Sequence, residues 1–201
     1  MDKTCVVIGN GPSLRDVPVE FLCRYPTFGA NRIYLKFLPD YYVVINPLVC
    51  QQNHDDIQRI QRTKYVRAGM GLEGYQLHSS TREPFSFHPL KWVNEGYTVT
   101  YVSLQLAYWL GFETVLLVGV DHRYTFDGKP NEKRHMDGDD PNHFDPAYFR
   151  GQDWNNPDLG KSESYYRWAR EVYRRNGRQV VNLTKGSSLD VFERGRIEEW
   201  L

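Results

Sequence analysis

The chain has 201 residues, 25 basic and 25 acidic, with a formal net charge of zero at pH 7 and a pI near 7.0. This balance excludes a general electrostatic grip on nucleic acid or on an anionic membrane surface, and no apolar run approaches the ~20 residues needed to span a bilayer. The length suits one domain over residues 1–201 with a substantial core.

Short apolar runs alternate with amphipathic stretches, the pattern of an α/β chain. The first strand covers 5–8 and leads straight into the turn Gly9-Asn10-Gly11-Pro12-Ser13. A second strand at 26–30 ends at Asn31, and a third at 41–45 ends at Asn46-Pro47. Residues 55–62 read as helix and 64–67 as strand, while the Gly-, Ser- and His-containing segment 68–95 leaves room for a hairpin. Residues 99–110 carry apolar side chains at helical spacing. They stop at Gly111 and feed the apolar strand 113–118, which ends at Gly119-Val120-Asp121. A helix at 162–175, a strand at 179–182 and a short final helix at 189–194 close the chain. The expected architecture is α/β and Rossmann-like, a mostly parallel sheet flanked by helices.

Between Asp121 and Gly160 lies a stretch with no clear period, longer than a compact domain usually tolerates outside a lid or binding loop. It holds His122, His135 and His143, half of the six histidines, together with Arg123, Tyr124, Tyr148, Arg150 and Trp154. Its aromatic content argues against permanent disorder, so residues 121–160 are read as an active-site lid. The 14 tyrosines suit sugar or base recognition as well as packing. Cys5, Cys23 and Cys50 are odd in number and lack CxxC spacing. With no signal peptide before the first strand, a reducing cytoplasm is expected.

The glycine pair after a buried strand lets the backbone turn sharply and approach a ligand. Its N–H groups, and those of the helix start at Pro12-Ser13, can converge on a phosphate. The turn is neither a dinucleotide fingerprint, since Leu14-Arg15 stands where a third glycine would, nor a Walker loop, since no Gly-Lys-Ser/Thr follows. Open parallel sheets bind ligands at the carboxyl ends of their strands. Polar residues repeat there: Asn31, Asn46, Asp121-His122 and Asn182-Leu183-Thr184. The nucleotide-binding candidates are therefore Gly9, Asn10, Gly11, Pro12, Ser13, Asn31, Asn46 and Asp121.

The opening IGNGPSL, the strand ends Gly29-Ala30-Asn31-Arg32 and Ile45-Asn46-Pro47, the block 99–124 and the lid phrase Pro141-Asn142-His143-Phe144 resemble one superfamily. It includes the bacterial CMP-sialic acid-dependent sialyltransferases, the uncharacterised family numbered 115, and archaeal 6-hydroxymethylpterin diphosphokinases. The resemblance runs over most of the chain in order, specific at the two blocks and loose between them. It implies that Asn10, Gly11 and Ser13 hold the nucleotide phosphate and ribose, and that Asn31 and Asn46 recognise the donor. It also implies a lid histidine as general base, matched by His143, with His122 as its rival. The family's two leaving-group tyrosines fall at Arg123 and Lys129, with Tyr124 one step along. That departure leaves the transferred sugar open and makes His143, Arg123 and Tyr124 the catalytic candidates.

An imidazole with a pKa near ~6.5 suits removal of an acceptor hydroxyl proton at neutral pH. The leading expectation is an inverting, sialyltransferase-like glycosyltransferase of surface-polysaccharide assembly. It would use a CMP-type nucleotide sugar and a glycan acceptor with no other cofactor, no resident metal and no nucleic acid, in an assembly of one or more copies. The alternatives are a diphosphokinase using Mg²⁺, with Asp121 and the aspartates of 135–140 as ligands, and a nucleotide-binding module without turnover. The arginines at 167, 170, 174, 175 and 178 are either a solvated helix face or a dock for an acidic acceptor.

Overall fold

A computed structural model describes residues 3–201; Met1 and Asp2, at the start of the leaderless N-terminus expected from the sequence, lie outside the described residues. The strands are β1 (Thr4–Ile8), β2 (Thr27–Ala30), β3 (Tyr41–Val44), β4 (Thr63–Arg67), β5 (Tyr75–Leu77), β6 (Thr114–Val118), β7 (Lys133–Met136), β8 (Gln152–Asn155), β9 (Gln179–Asn182) and β10 (Glu193–Arg194). Among the described residues, eight of them form one sheet in the order β10-β9-β6-β1-β2-β3-β4-β5, and every pairing in it is parallel. The fold is thus α/β and Rossmann-like, as the sequence leads one to expect.

A parallel sheet covered on both faces needs strands that are apolar at every position, because successive side chains enter opposite layers. In β1, Cys5 and Val7 enter one core while Val6 and Ile8 enter the other; β6 does the same with Val115 and Leu117 against Leu116 and Val118. The first layer is covered by the helices α4 (Val99–Trp109) and α5 (Leu159–Arg175). The second lies under the short helices α1 (Val19–Leu22), α2 (Pro47–Gln52) and α3 (His54–Arg59), and under aromatic residues of the 121–160 segment. No helix among the described residues is long and apolar enough to cross a membrane.

The sheet runs outward from β1 through β5 on one side and resumes with β6 on the other side of β1. The chain therefore reverses its direction of travel between β1 and β6, and the turns after these two strands lie side by side. Gly9 N–H donates to Val118 O (2.8 Å), and Gly11 N–H donates to Gly119 O (2.8 Å). At this seam a Cβ on Gly9 would collide with the Gly119 carbonyl, and one on Gly11 with the Asp121 carboxylate.

Three elements differ from the sequence reading. Segment 68–95 contributes the parallel strand β5 rather than a hairpin. It is pinned by the buried Gln105, whose Oε1 accepts from Ser86 and Asn94 N–H and whose Nε2 donates to Asn94 O. The antiparallel hairpin lies instead within 121–160, where β7 pairs with β8. The final helix expected at 189–194 is a loop ending in β10. Leu189, Val191 and Phe192 are buried in it, and Glu193 and Arg194 pair in parallel with Val181 and Asn182 of β9, an extended pairing that a helix cannot make.

The seam predicts that Gly9→Ala lowers unfolding free energy by about 1–3 kcal/mol through overpacking. Gly138→Ala, where a Cβ meets nothing within 4 Å, should stay within about 0.5 kcal/mol. Denaturant titration of the two variants checks this.

Candidate functional site

The seam forms the floor of a cleft of about 480 Å³ outside the carboxyl ends of β1, β2, β3 and β6. This is where an open parallel sheet presents its ligand site. Gly9, Asn10, Gly11, Asn31, Asn46, Asp121, His122, Arg123, Tyr124 and His143 all line it. Of the catalytic and nucleotide-binding candidates, all but Pro12 and Ser13 line this one cavity.

Pro12 opens a 3-10 turn (Pro12–Asp16), and Ser13 faces Asp121 rather than the cleft: its N–H donates to Oδ1 (3.1 Å) and its hydroxyl to Oδ2 (2.7 Å). With Gly9, Gly11 and Ser13 N–H all engaged by protein oxygens, the turn is not the open phosphate cradle its sequence suggests. Asp121 acts as a clasp between the two turns. Asn182 and Thr184, also expected at the crevice, lie outside its lining: Asn182 is bonded to Ser187 and Leu189, and the Thr184 hydroxyl accepts from Val120 N–H.

Asn31 sits at the end of β2 with φ 53°, a left-handed conformation that asparagine tolerates better than most residues. Asn46 caps α2, its Oδ1 accepting from Leu48 N–H at 2.9 Å. Arg123 turns its guanidinium toward the loop after β9, bonding Gly186 O and the Ser188 hydroxyl. Tyr124 has no hydrogen-bond partner among the described residues. Like any phenol it is a donor at neutral pH, and burial raises its pKa further.

His143 is held most firmly. Its Nδ1 lies 2.7 Å from Asp140 Oδ2, and the Asp140 side chain is fully buried. A buried carboxylate accepts, so Nδ1 carries the proton and Nε2 presents a lone pair. Asp140 also accepts from Asn142 N–H (2.9 Å), and the imidazole stacks on Tyr148 with centroids 4.1 Å apart and planes 6° from parallel. The backbone is pinned as well: Phe144 N–H donates to Asn10 O, and Arg15 donates to the His143 and Phe144 carbonyls. Sequence reasoning misses Asp140 as the partner of this histidine, although the i, i+3 spacing of Asp140-Pro141-Asn142-His143 is a signal for it. His122, the rival base, lines the same cleft at φ 52° with its ring against Tyr166, and burial lowers its pKa.

The amino end of α4, with Thr98, Thr100 and Ser103, and that of α5, with Asp158 and Ser162, also line the cleft and went unnoticed in the sequence. Their dipoles favour negative charge there. Side-chain cations are scarce by comparison, Arg123 being the one lysine or arginine lining the cleft among the described residues. The acidic patch of 135–140 is dispersed: Asp137 and Asp153 face His135, Asp139 pairs with Arg150, and Asp140 with His143. Among the described residues no group of His, Cys, Asp and Glu gathers into a metal-ligand set.

Because burial favours the neutral His122 ring, its NMR titration midpoint should fall below 6.5. The unfolded chain then takes up this proton first as pH falls. The stability it contributes is complete above about 6.5 and declines as pH falls through the depressed value. No protein family, curated protein or solved structure matches this chain.

Proposed function

We propose that this chain transfers a sugar from a nucleotide-sugar donor, of the CMP type, to a hydroxyl acceptor. The observation that carries the reading is the Asp140–His143 pair, which holds an imidazole with a free Nε2 in the same cleft as Asn10, Asn31 and Asn46. In this reaction Nε2 takes the acceptor hydroxyl proton as the acceptor oxygen bonds to the anomeric carbon. The bond from that carbon to the phosphate oxygen breaks, and its electron pair leaves with the nucleotide phosphate. Asp140 offsets the charge of the imidazolium formed. The Tyr124 hydroxyl, which has no internal partner among the described residues, is the donor suited to the departing phosphate, and Arg123 would join it on leaving Gly186 O and Ser188.

A cleft with one arginine and two helix termini suits a single phosphate linkage better than a triphosphate. The diphosphokinase alternative, which draws on Asp121 and the lid aspartates for Mg²⁺, is less well supported: Asp121 holds Ser13, and the lid carboxylates point to separate partners.

A thermal-shift panel of nucleotides tests the reading. CMP at about 100 times its Kd should stabilise the protein by about 2.7 kcal/mol without added metal. With a CMP-sugar the protein should turn over, and Asp140→Asn and His143→Ala should each lower kcat by about 10²- to 10⁴-fold. Stabilisation that requires ATP and Mg²⁺ together, with no response to CMP, would overturn the proposal in favour of the kinase. Tight CMP binding with no turnover of any CMP-sugar would overturn it in favour of a binding module.

A further inference from the structure

Opposite the strand ends, the cleft is walled by the segment that leaves the β7–β8 hairpin and enters α5. Asn156 lies in this wall, 1% exposed. Its Nδ2 donates to the carbonyls of Asp127 (2.8 Å) and Lys129 (3.0 Å), which fixes the orientation of the carboxamide. Its Oδ1 is buried and meets no donor among the described residues. The same holds for Oδ1 of Asn10, whose Nδ2 donates to Ala30 O, and for Oδ1 of Asn31. A buried acceptor without a donor is unfavourable by about 1–3 kcal/mol, so these oxygens describe a ligand rich in donors. Asn10 and Asn31 belong to the strand-end side of the cleft; Asn156 belongs to neither the strand ends nor the His143 loop.

The neighbourhood of Asn156 supplies a second observation. Asn131 N–H donates to Asn156 O, and Asn131 approaches Asp158, which pairs with Lys161 (3.2 Å). The Lys161 ammonium lies 4.8 Å from the centre of the Tyr97 ring. Tyr97 lines the cleft at its rim, 47% exposed, and holds φ at 61°. A bulky side chain in the left-handed region is strained, and such strain collects at ligand-handling positions. An exposed aromatic lining the same cleft as unpaired hydrogen-bond acceptors matches a sugar ring, which has an apolar face and a rim of hydroxyl donors.

Charge narrows the ligand further. The nearest cation, Lys161, is already paired. The arginines of α5 are engaged as well: Arg167 by Glu163, Arg174 and Arg175 by Glu171, and Arg170 by the Val191 carbonyl; Arg178, beyond the end of the helix, bonds the Tyr108 and Phe112 carbonyls. None of them lines the cleft, where Arg123 is the one lysine or arginine among the described residues. We propose that Asn156 and Tyr97 form the acceptor subsite, and that it takes a neutral, hydroxyl-bearing glycan. This inference rests on the transferase reading for the word acceptor, but the subsite can be tested apart from it.

Saturation-transfer NMR would be run on the full chain with methyl β-galactoside, methyl α-glucoside and glucose 1-phosphate, each with and without CMP. The neutral glycosides should receive saturation. Their affinity, from titration of that signal, should fall by about tenfold, equivalent to 1.4 kcal/mol, in Asn156→Asp and in Tyr97→Gly, while the CMP-induced thermal shift is retained. Glycine accepts a positive φ, so Tyr97→Gly removes the ring without straining the fold, and it decides the matter should the Asn156 variant unfold. CMP binding with no glycoside signal, or with one unchanged in Tyr97→Gly, overturns the subsite and leaves the donor reading standing. Signal confined to glucose 1-phosphate overturns the neutral assignment. Glycoside signal lost in Tyr97→Gly, with no response to any nucleotide, supports the subsite and sinks the donor reading.

Discussion

The structure depends on the contact between two glycine turns, one after β1 and one after β6. Each turn donates or accepts directly through its backbone, with Gly9 N–H on Val118 O and Gly11 N–H on Gly119 O, and Asp121 closes the seam through Ser13. Side chains at Gly9 or Gly11 would separate the turns. The seam also orients what lies above it, because the Asn10 carbonyl that accepts from Phe144 N–H belongs to the same turn. The position of His143 is thereby referred to the centre of the sheet rather than to a loose loop.

The 121–160 segment accordingly behaves as a wall. Phe144, Tyr148, Phe149 and Trp154 are buried in the same core layer as Val6, Ile8 and Val118. Burial of such side chains contributes about 1.5–3 kcal/mol each, against about 1 kcal/mol net for a typical hydrogen bond. Packing therefore dominates the attachment. The polar ties give it register: Gln52 and Asn53 bond across to Asp153 and Gln152, and Asn142 pairs both ways with the Thr125 peptide. A catalytic imidazole needs this kind of support, since its usefulness depends on holding one tautomer in one place.

The cleft combines helix amino ends and neutral amides with few formal charges. Carboxylates in and around it are engaged: Asp121 by Ser13, Glu95 by Arg67 and the buried Asp140 by His143. Among the described residues, the groups of the cleft with no internal hydrogen-bond partner include the Nε2 of His143, the Tyr124 hydroxyl and three carboxamide oxygens. These are the groups through which a ligand can act without first displacing an internal partner.

The sequence by itself determined the fold class. Strands buried on both faces are apolar at successive positions, and the runs at 5–8, 42–45, 115–118 and 180–181 meet that demand locally. It also located most of the cleft, since polar residues that end such strands share one edge of a parallel sheet. The roles of those residues were another matter. Whether Ser13 faces a phosphate or Asp121, whether Asp140 faces a metal or His143, and whether Asn182 faces the crevice or the core depend on partners up to 108 residues away. The same holds for the aromatic wall and for Asn156 and Tyr97, whose significance is in which donors and acceptors go unmatched. Only the tertiary structure decides that, because hydrogen-bond satisfaction is a property of the assembled surroundings and not of local sequence.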